Sequence, residues 1–575
     1  MMRLPVLLFL FAVLFLHRPA MLVGNYADMT TLFPRWGFAL LASGMILLQW
    51  KRLIALLNGM SRYSVAALLI LLFSALGHFF VNGYWTLESL GLNLIFLTVP
   101  LFAAVNRGEL RRMIPPFMGC VWVLNTGVTL WQRFSGNAPG GIAGNWNWNA
   151  ALILVSTPFL LLLIYRKLKE LPKKLRLPGM AVPLLLSIWL FASAGSRAAV
   201  LGGLGAGYVF LLLHWQGWKR KVLLFASLAA LLGGGAVLVL FLPEKIDLFL
   251  RSEIRPVIWE STVALIADHP FGVGAESFED SYIPYKTAEY FLHRHMAWRT
   301  VHPHNEFLYI AACLGIPALL AWCFLTFRGM LLFFLRYRSA RAADKLIFFA
   351  FLALLIHGML DLVFFAWPLD LIAFLFAGFF WAPLRPGAEK QPKFHRIPQV
   401  IGGIVLCGVL LSAGVNWYAT SLYESARKQY ASRKIVLLSD SAAAKLTTAF
   451  PEQLYLAAES ALVFLNRADH ALTLLDSLEK TPYRNMGRIH GLRALALGKL
   501  GRYGEALREY ERDSACYPYL VLPYIGQLTC LTRLGRTAEI SAVEKRLAEV
   551  MKLRGISRAR LMEIMRNPEL DKPNG

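Results

Sequence analysis

Long apolar runs alternate with short polar connections over the first 417 residues of the chain. A transmembrane helix needs about 20 predominantly apolar residues. Thirteen runs match or approach this length, at 4–16, 37–50, 63–81, 89–105, 113–131, 149–165, 178–195, 198–214, 222–242, 305–327, 346–366, 369–384 and 399–417. The pattern predicts an all-α fold built around a polytopic membrane bundle of about thirteen transmembrane helices.

Lysine and arginine residues are concentrated in every second connection between these runs. The longest cluster is RKLKELPKKLR at 166–176. Because connections rich in Lys and Arg stay on the cytoplasmic side of a membrane, the six basic connections are predicted to face the cytoplasm and the others to face outward. These clusters also account for much of the net charge of +24, so nucleic acid is not expected as a partner.

Polar residues that are unusual beside membrane helices collect on the predicted outer side. The stretch VHPHNEFLYIAACLGIPALL at 301–320 places His302, His304 and Asn305 at the start of an otherwise apolar helix. Polar groups at such a boundary predict a functional site. The outer set also contains Gln132, Asn145, Asn147, Arg197, Arg255, Tyr282, His357 and Asp361.

Three predicted helices begin near residues 149, 198 and 305, and all three run inward from the outer side. Helix amino ends carry unpaired N–H groups and partial positive charge, which favour bound anions. Together with arginine side chains, three such ends predict a receptor for a phosphate or diphosphate. Structural interpretations stay open, because histidines can solvate a helix end and His357 and Asp361 have the spacing of an intrahelical pair.

The chain changes character after about residue 418, where amphipathic helical patterns replace the apolar runs. The motif Leu-Gly-Arg at 500–502 recurs at 534–536, an offset of 34 residues. A helical repeat of this period is typical of tetratricopeptide arrays, which bind partners. A nonspecific helical bundle is the alternative.

These patterns divide the chain into two predicted domains. The first is a membrane domain over 1–417 with a large outer loop at 243–304, and the second is a tetratricopeptide-like domain over 418–575, also on the outer side. The second domain contains Cys516 and Cys530, and their spacing does not decide whether they form a disulfide.

Four outward-facing segments resemble motifs of the O-antigen ligase and polymerase superfamily of bacterial membrane glycosyltransferases. His304-Asn305, followed after nine residues by Gly315, resembles the His-Asn motif of the ligases, although Ala318 stands where a second glycine is common. The other three segments are GIAGNWNWNAA, with Trp146 in place of the common proline, the Ser-Arg turn SAGSRAAV, and RPVIWESTVALIADHPFGVGAESF. The helical tail resembles that of the protein O-oligosaccharyltransferases that glycosylate pilin.

The resemblance implies a GT-C-like bundle in the bacterial inner membrane, with its active site and tail in the periplasm. Its activity would be transfer of a glycan from an undecaprenyl-diphosphate carrier to an acceptor hydroxyl, without a metal ion or other cofactor. The expected acceptor is a Ser or Thr of a pilin-like protein. Lipid A–core, as in a ligase, and a growing polysaccharide, as in a polymerase, are alternatives. A transporter or flippase of a lipid-linked or anionic solute is the non-enzymatic alternative; membrane lipids surround the chain in every case.

The same resemblance implies roles for individual residues. Arg197 and Arg255 would bind the diphosphate through bidentate hydrogen bonds. His304 would be the base that takes the acceptor's proton, with His302 as the rival, and a single displacement would invert the anomeric carbon.

The remaining candidates of the set are expected to line the site. Contacts with sugar or phosphate are expected from Asn145, Asn147, Gln132 and Tyr282, and Asn305, His357 and Asp361 complete the predicted binding residues. Glu276, Glu279 and Asp280 could instead hold a divalent ion. Because the chain has no Asp-x-Asp motif, the metal-free interpretation is preferred.

Overall fold

The protein is described here by a computed structural model. The described residues are 4–15, 35–82, 87–170, 172–227, 254–287, 289–290, 300–364, 366–383, 396–411, 451–463, 465–479 and 488–566. Their regular secondary structure is entirely helical, which confirms the all-α prediction. Most of the predicted span 222–242 and of the outer loop 17–36 lies outside these residues.

The principal helices are numbered in chain order. They are α1 (Leu4–Phe15), α2 (Arg35–Leu48), α3 (Trp50–Gly59), α4 (Arg62–Asn82), α5 (Leu87–Val105), α6 (Arg107–Phe134), α7 (Trp146–Leu168), α8 (Lys173–Ala194), α9 (Arg197–His214), α10 (Arg255–Asp268), α11 (Phe278–Tyr282), α12 (Glu306–Leu314), α13 (Ile316–Phe334), α14 (Ala342–His357), α15 (Leu369–Trp381), α16 (Pro451–Val463), α17 (Ala468–Glu479), α18 (Ile489–Lys499), α19 (Tyr503–Cys516), α20 (Leu522–Leu534), α21 (Thr537–Arg554) and α22 (Arg558–Arg566).

The chain divides into two compact units. The first consists of Met1–Val81, Leu87–Ser252 and His304–Gly414, and the second of Asn82–Thr86, Glu253–Pro303 and Val415–Gly575. The second unit thus combines most of the long outer loop with the helical tail. The domain boundaries drawn from the sequence stay predictions.

Helix length and composition identify a multi-pass membrane protein. Among the described residues, α6, α7, α9 and α13 are each long and apolar enough to cross a membrane, and α2 with α3 forms a further pair bent by 88°. Six shorter apolar helices accompany them and coincide with predicted runs, for example at Leu369–Trp381. The count of thirteen spans stays a prediction.

Close backbone approach holds the first unit together. Helix α15 packs against α5 and α13, and each of its residues is buried. A Cβ atom added to Gly378 of α15 would lie within 2 Å of the carbonyl oxygen of Pro100. Small residues at such crossings let helices pack closely. Close packing matters in a membrane because moving apolar side chains from lipid into the protein interior provides no hydrophobic driving force.

Two of the predicted spans are not continuous helices in the structure. The run 305–327 is two helices, because α12 ends at Leu314 and α13 begins at Ile316. Gly315 between them has a φ of +91°, a value that residues with a Cβ rarely adopt. The run 346–366 is also interrupted, since α14 ends at His357 and Asp361 lies in the turn beyond it.

In the second unit, the sequence repeat is also a repeat of structure. The helices α16 to α21 pack in chain order, each against the next. Gly501 and Gly535 end their helices with φ values of +73° and +69°. One residue later, Arg502 and Arg536 each bind a glutamate three positions ahead through two hydrogen bonds of 2.6–2.7 Å. The tetratricopeptide assignment itself stays a prediction.

The outer-loop residues of the second unit lie close to its helical tail. Burial raises the pKa of Tyr290, and the charges of Tyr282, Glu279 and Tyr517 raise it further. Burial also raises the pKa of Cys516 to about 11. Cys516 and Cys530 are both free thiols, so the structure contains no bridge between them.

Candidate functional site

His304 lies immediately before the first turn of α12. Asn305 is the N-cap of that helix, and its side-chain oxygen accepts hydrogen bonds from the N–H groups of Phe307 (3.0 Å) and Leu308 (3.1 Å). His304 itself has a φ of +53°. A left-handed backbone at a non-glycine residue costs of order 1–3 kcal/mol, so the surrounding contacts must hold it in place.

The imidazole of His304 is paired with a buried carboxylate. Its Nδ1 lies 3.1 Å from Oδ1 of Asp361, which is 57 positions away in sequence. The other carboxylate oxygen accepts a hydrogen bond of 3.0 Å from the side-chain amide of Asn147. The side chain of Asp361 is 4% exposed and that of His304 is 35% exposed. The structure therefore brings together three residues that the sequence placed in three separate segments.

The start of α12 also holds the turn that carries Asp361. The buried carboxylate of Glu306 accepts hydrogen bonds from the N–H groups of Val363 and Phe364. Its own N–H donates to the carbonyl oxygen of Gly358 at 2.7 Å. The side chain of Asn305 donates to the carbonyl oxygen of Met359 at 3.0 Å. These bonds fix the distance between His304 and Asp361.

A buried network of side-chain amides holds the start of α7, which carries Asn147. Asn125 of α6 donates to the side-chain oxygen of Asn149 at 2.7 Å and accepts from the N–H of Ile142 at 3.0 Å. Gln132 accepts from the N–H of Gly141 at 2.8 Å and donates to its carbonyl oxygen at 3.2 Å. Gln132 therefore anchors the loop before α7, and its predicted contact with a sugar stays a prediction.

The amino ends of α7 and α9 lie side by side. Ala150 in the first turn of α7 and Ala199 in the first turn of α9 belong to one buried cluster with Ala194. Arg197, the first residue of α9, is exposed. Since Asn147 binds Asp361, and Asp361 binds His304, the amino ends of α7, α9 and α12 are all part of the same end of the bundle.

Each of these amino ends is capped by a side chain of its own segment. Asn145 accepts from the N–H of Asn147, and Ser196 accepts from the N–H of Ala199, in the same way that Asn305 caps α12. The predicted anion receptor relied on unpaired N–H groups. Some of these N–H groups are already hydrogen-bonded to the capping side chains. The helix dipoles and the arginine side chains therefore remain as the main sources of positive potential.

His357 lies at the last position of α14 and is buried. Helix α9 passes close to it, since a Cβ atom added to Gly202 would lie 3.6 Å from the Cβ atom of His357. The packing of α9 on α14 therefore places His357 inside the bundle.

The candidates of the second unit occupy three different settings. Arg255 begins α10, and one turn later the Trp259 side chain donates to the carbonyl oxygen of Pro303 at 2.9 Å. His302 is 8% exposed. Tyr282 is fully buried, with its ring 5.4 Å from that of Phe278. The predicted contact of Tyr282 with a sugar stays a prediction.

The carboxylates considered for a divalent ion also belong to this unit. Glu279 and Asp280 lie in the first turn of α11. Within the described part of the chain, no three His, Cys, Asp or Glu side chains are grouped so that they could hold a metal ion.

The geometry of the first unit suits proton transfer. A carboxylate at Nδ1 of an imidazole favours the tautomer that carries its proton there, and Nε2 is then the nitrogen that accepts a proton. The same carboxylate stabilises the imidazolium that forms. Arg197 in the adjoining first turn of α9 supplies positive charge near the same end of the bundle.

Residues 182–323 match the sequence family described as O-Antigen ligase. The matched segment covers about a quarter of the chain, and over that segment the chain is similar to the O-antigen ligase family. This similarity supports a glycosyl-transfer activity of the O-antigen ligase type. No curated protein matches the chain significantly. The matched segment contains Arg197 and His304, whereas Asn147 and Asp361 lie outside it.

Sequence reasoning assigned no specific role to several residues that build the candidate site. Asn125 and Asn149 carry the buried network, and Glu306 fixes the turn of Asp361. The available signal was the presence of amides and a carboxylate within apolar runs, because buried polar groups in a membrane bundle need partners.

Proposed function

We propose that this protein is a glycosyltransferase of the O-antigen ligase type, which transfers a glycan from an undecaprenyl-diphosphate carrier to an acceptor hydroxyl with His304 as the general base. The observation that carries the proposal is the 3.1 Å pair between Nδ1 of His304 and the buried Asp361. His302 is a weaker candidate, because it is only 8% exposed.

The proposed reaction is a single displacement. The acceptor oxygen forms a bond with the anomeric carbon, while Nε2 of His304 takes the hydroxyl proton. The bond between the anomeric carbon and the diphosphate oxygen breaks, and the electron pair leaves with the diphosphate. Attack on the face opposite the leaving group inverts the anomeric configuration.

Stabilising the departing diphosphate is the second requirement. Arg197 is proposed for this role because it is exposed at the amino end of α9, beside the amino end of α7. Guanidinium groups bind phosphates bidentately and stay charged at all relevant pH values. Arg255 is the second arginine proposed for this role, on the basis of its sequence context. Diphosphate is a good leaving group, so the proposal requires no metal ion.

A protein acceptor, with a pilin-like Ser or Thr, is the favoured acceptor class. The second unit supports this choice, since its 34-residue helical repeat is of a kind that usually binds other proteins. The Lys- and Arg-rich connections support the proposed orientation in the inner membrane, with the site on the periplasmic side.

Reconstituted transfer is the direct test. Purified full-length protein is mixed with an undecaprenyl-diphosphate-linked glycan and either a pilin-like protein or lipid A–core, with and without EDTA. We expect glycan on the protein acceptor, no loss with EDTA, and loss with His304→Ala. His214→Ala is the matched control, because His214 is exposed at the carboxyl end of α9. Glycan on lipid A–core alone would reject the protein acceptor, and full activity of His304→Ala would reject the base.

A further inference from the structure

A groove of about 330 Å³ opens on the first unit near the carboxyl end of α7. One wall is formed by Leu161 and Tyr165 of α7, and the other by Phe210 of α9 with Tyr337 and Phe349. The rings of Phe210 and Phe349 meet edge to face at 5.2 Å, and those of Tyr337 and Phe349 at 5.8 Å. The lining is therefore almost entirely apolar or aromatic, and its volume is in the range of ligand pockets.

Two lysines contact rings of the groove: Lys345 is itself a lining residue, and Lys169 lies over the ring of the lining Tyr165. The ammonium group of Lys169 is 4.9 Å from the ring centre of Tyr165, and that of Lys345 is 4.6 Å from the ring centre of Tyr337. Cation–π contact with a ring holds an ammonium group in a fixed position. The two lysines come from opposite walls, so both sides of the groove carry positive charge at its edge.

The chain segments next to the groove add to this charge. Exposed Arg166 and Lys167 directly follow Tyr165, and exposed Arg338 and Arg341 follow Tyr337. The neighbouring carboxylate of Asp344 is bound by Arg111 at 2.8 Å, on another helix. The edge is thus strongly basic, whereas the floor is apolar.

The groove is far from the proposed reaction site. Tyr165 is 18 positions after Asn147 in α7, which corresponds to about 27 Å along a helix. The basic edge also belongs to the Lys- and Arg-rich connections that the sequence places on the other side of the membrane from His304. A carrier lipid whose diphosphate lies beside His304 cannot place that diphosphate at this edge.

We infer that this groove binds an anionic phospholipid, with one acyl chain against the apolar walls and the phosphate between Lys169 and Lys345. The groove opens on a membrane-embedded bundle, so an acyl chain is the apolar occupant that its surroundings supply. The charge of the edge selects an anionic headgroup over a zwitterionic one, because each lysine near such a headgroup contributes to binding. The proposal is independent of the glycosyl-transfer reaction.

Native mass spectrometry of the purified full-length protein tests this site. The probes are phosphatidylglycerol and phosphatidylcholine with identical acyl chains, titrated separately. We expect phosphatidylglycerol to bind more tightly, and Lys169→Ala combined with Lys345→Ala to weaken its binding by about 30-fold, the equivalent of two lysine contacts. The matched control removes the same charge elsewhere, with Lys219→Ala and Lys221→Ala in the connection after α9, which does not line the groove.

A second variant tests the apolar part. Leu161→Trp should fill the groove and weaken both lipids, with an unchanged elution volume and melting temperature showing that the protein is folded. Equal affinity for the two lipids in the unaltered protein would overturn the proposal. An equal loss in the Lys219→Ala and Lys221→Ala control would overturn it as well, since it would show general attraction to positive charge. Displacement of phosphatidylglycerol by lower concentrations of undecaprenyl phosphate would assign the groove to a polyprenyl lipid instead.

Discussion

Replacing Asp361 by Asn removes a negative charge next to His304 while keeping the shape of the side chain. In the structure, Oδ1 of Asp361 lies 3.1 Å from the histidine and accepts from the N–H of Leu362 at 2.8 Å. Because that N–H requires an oxygen at this position, the new amide nitrogen should face Asn147, whose own amide can rotate to accept. The histidine tautomer is then preserved, and the variant mainly loses the charge.

The size of the effect follows from this geometry. Two opposite charges about 4 Å apart attract each other by about 4 kcal/mol at an effective dielectric constant near 20. The His304 side chain is 35% exposed, so solvent screens part of this attraction. We therefore expect a loss of about 1.4–2.8 kcal/mol when the imidazolium forms, which is about tenfold to 100-fold in kcat. His304→Ala removes the base altogether and should cost about 100-fold to 10,000-fold.

The assay is steady-state glycan transfer with a saturating lipid-linked donor. Asp361→Asn should lower kcat and leave KM for the donor nearly unchanged, because Asp361 acts through His304. Combining Asp361→Asn with His304→Ala should give no more loss than His304→Ala alone, since a positioning residue has no effect once its partner is absent.

Asp344→Asn is the matched control for general destabilisation. Asp344 is 5% exposed and bound by Arg111, so the same substitution removes a buried charge near the other end of α14. It should lower the melting temperature without lowering the kcat of the folded protein. The reasoning is refuted if Asp361→Asn retains full kcat while His304→Ala is inactive, or if the two losses multiply in the double variant.

Three further predictions concern the fold. Gly315→Ala should cost about 1–2 kcal/mol in the free energy of unfolding, because the position has a φ of +91°, and a lower melting temperature would show it; an unchanged one would mean that the helix break tolerates a Cβ. Gln132→Leu leaves two buried backbone groups of Gly141 without their side-chain partner, so about 1–3 kcal/mol should be lost and limited proteolysis of the loop before α7 should become faster. Cys516 and Cys530 should react slowly with maleimide at pH 7.5 until the protein is unfolded, because burial raises both thiol pKa values, that of Cys516 to about 11; recovery of a disulfide-linked peptide would contradict this.

The sequence was informative wherever the deciding contacts are local. The predicted run 149–165 lies inside α7, because an apolar stretch of this length has no other stable form in lipid. The sequence repeat at 500–502 and 534–536 corresponds to a repeated local structure. In both copies a left-handed glycine is followed by an Arg–Glu pair three residues apart, and all of these contacts lie within seven residues. In both cases the information needed to form the element is contained in the element itself.

The sequence could not predict which polar groups meet. His357 and Asp361 have the spacing of an intrahelical pair, yet α14 ends at His357 and Asp361 binds His304, 57 positions away. Pro317 suits the first turn of a new helix after Gly315, but this pattern alone does not establish that the helix is interrupted there. These outcomes depend on tertiary packing, which periodicity does not describe.

Polar residues at the boundary of a membrane bundle perform two kinds of task, and burial is what separates them. Gln132 and Glu306 use their polar atoms on backbone groups inside the protein, where an unpaired polar group would be costly. His304 and Arg197 keep part of their surface accessible. In the sequence, all four are polar residues next to apolar runs and look equivalent. The buried residues keep the distance between His304 and Asp361 constant. A base that must meet a reacting hydroxyl has to be held in position by side chains that never touch the substrate.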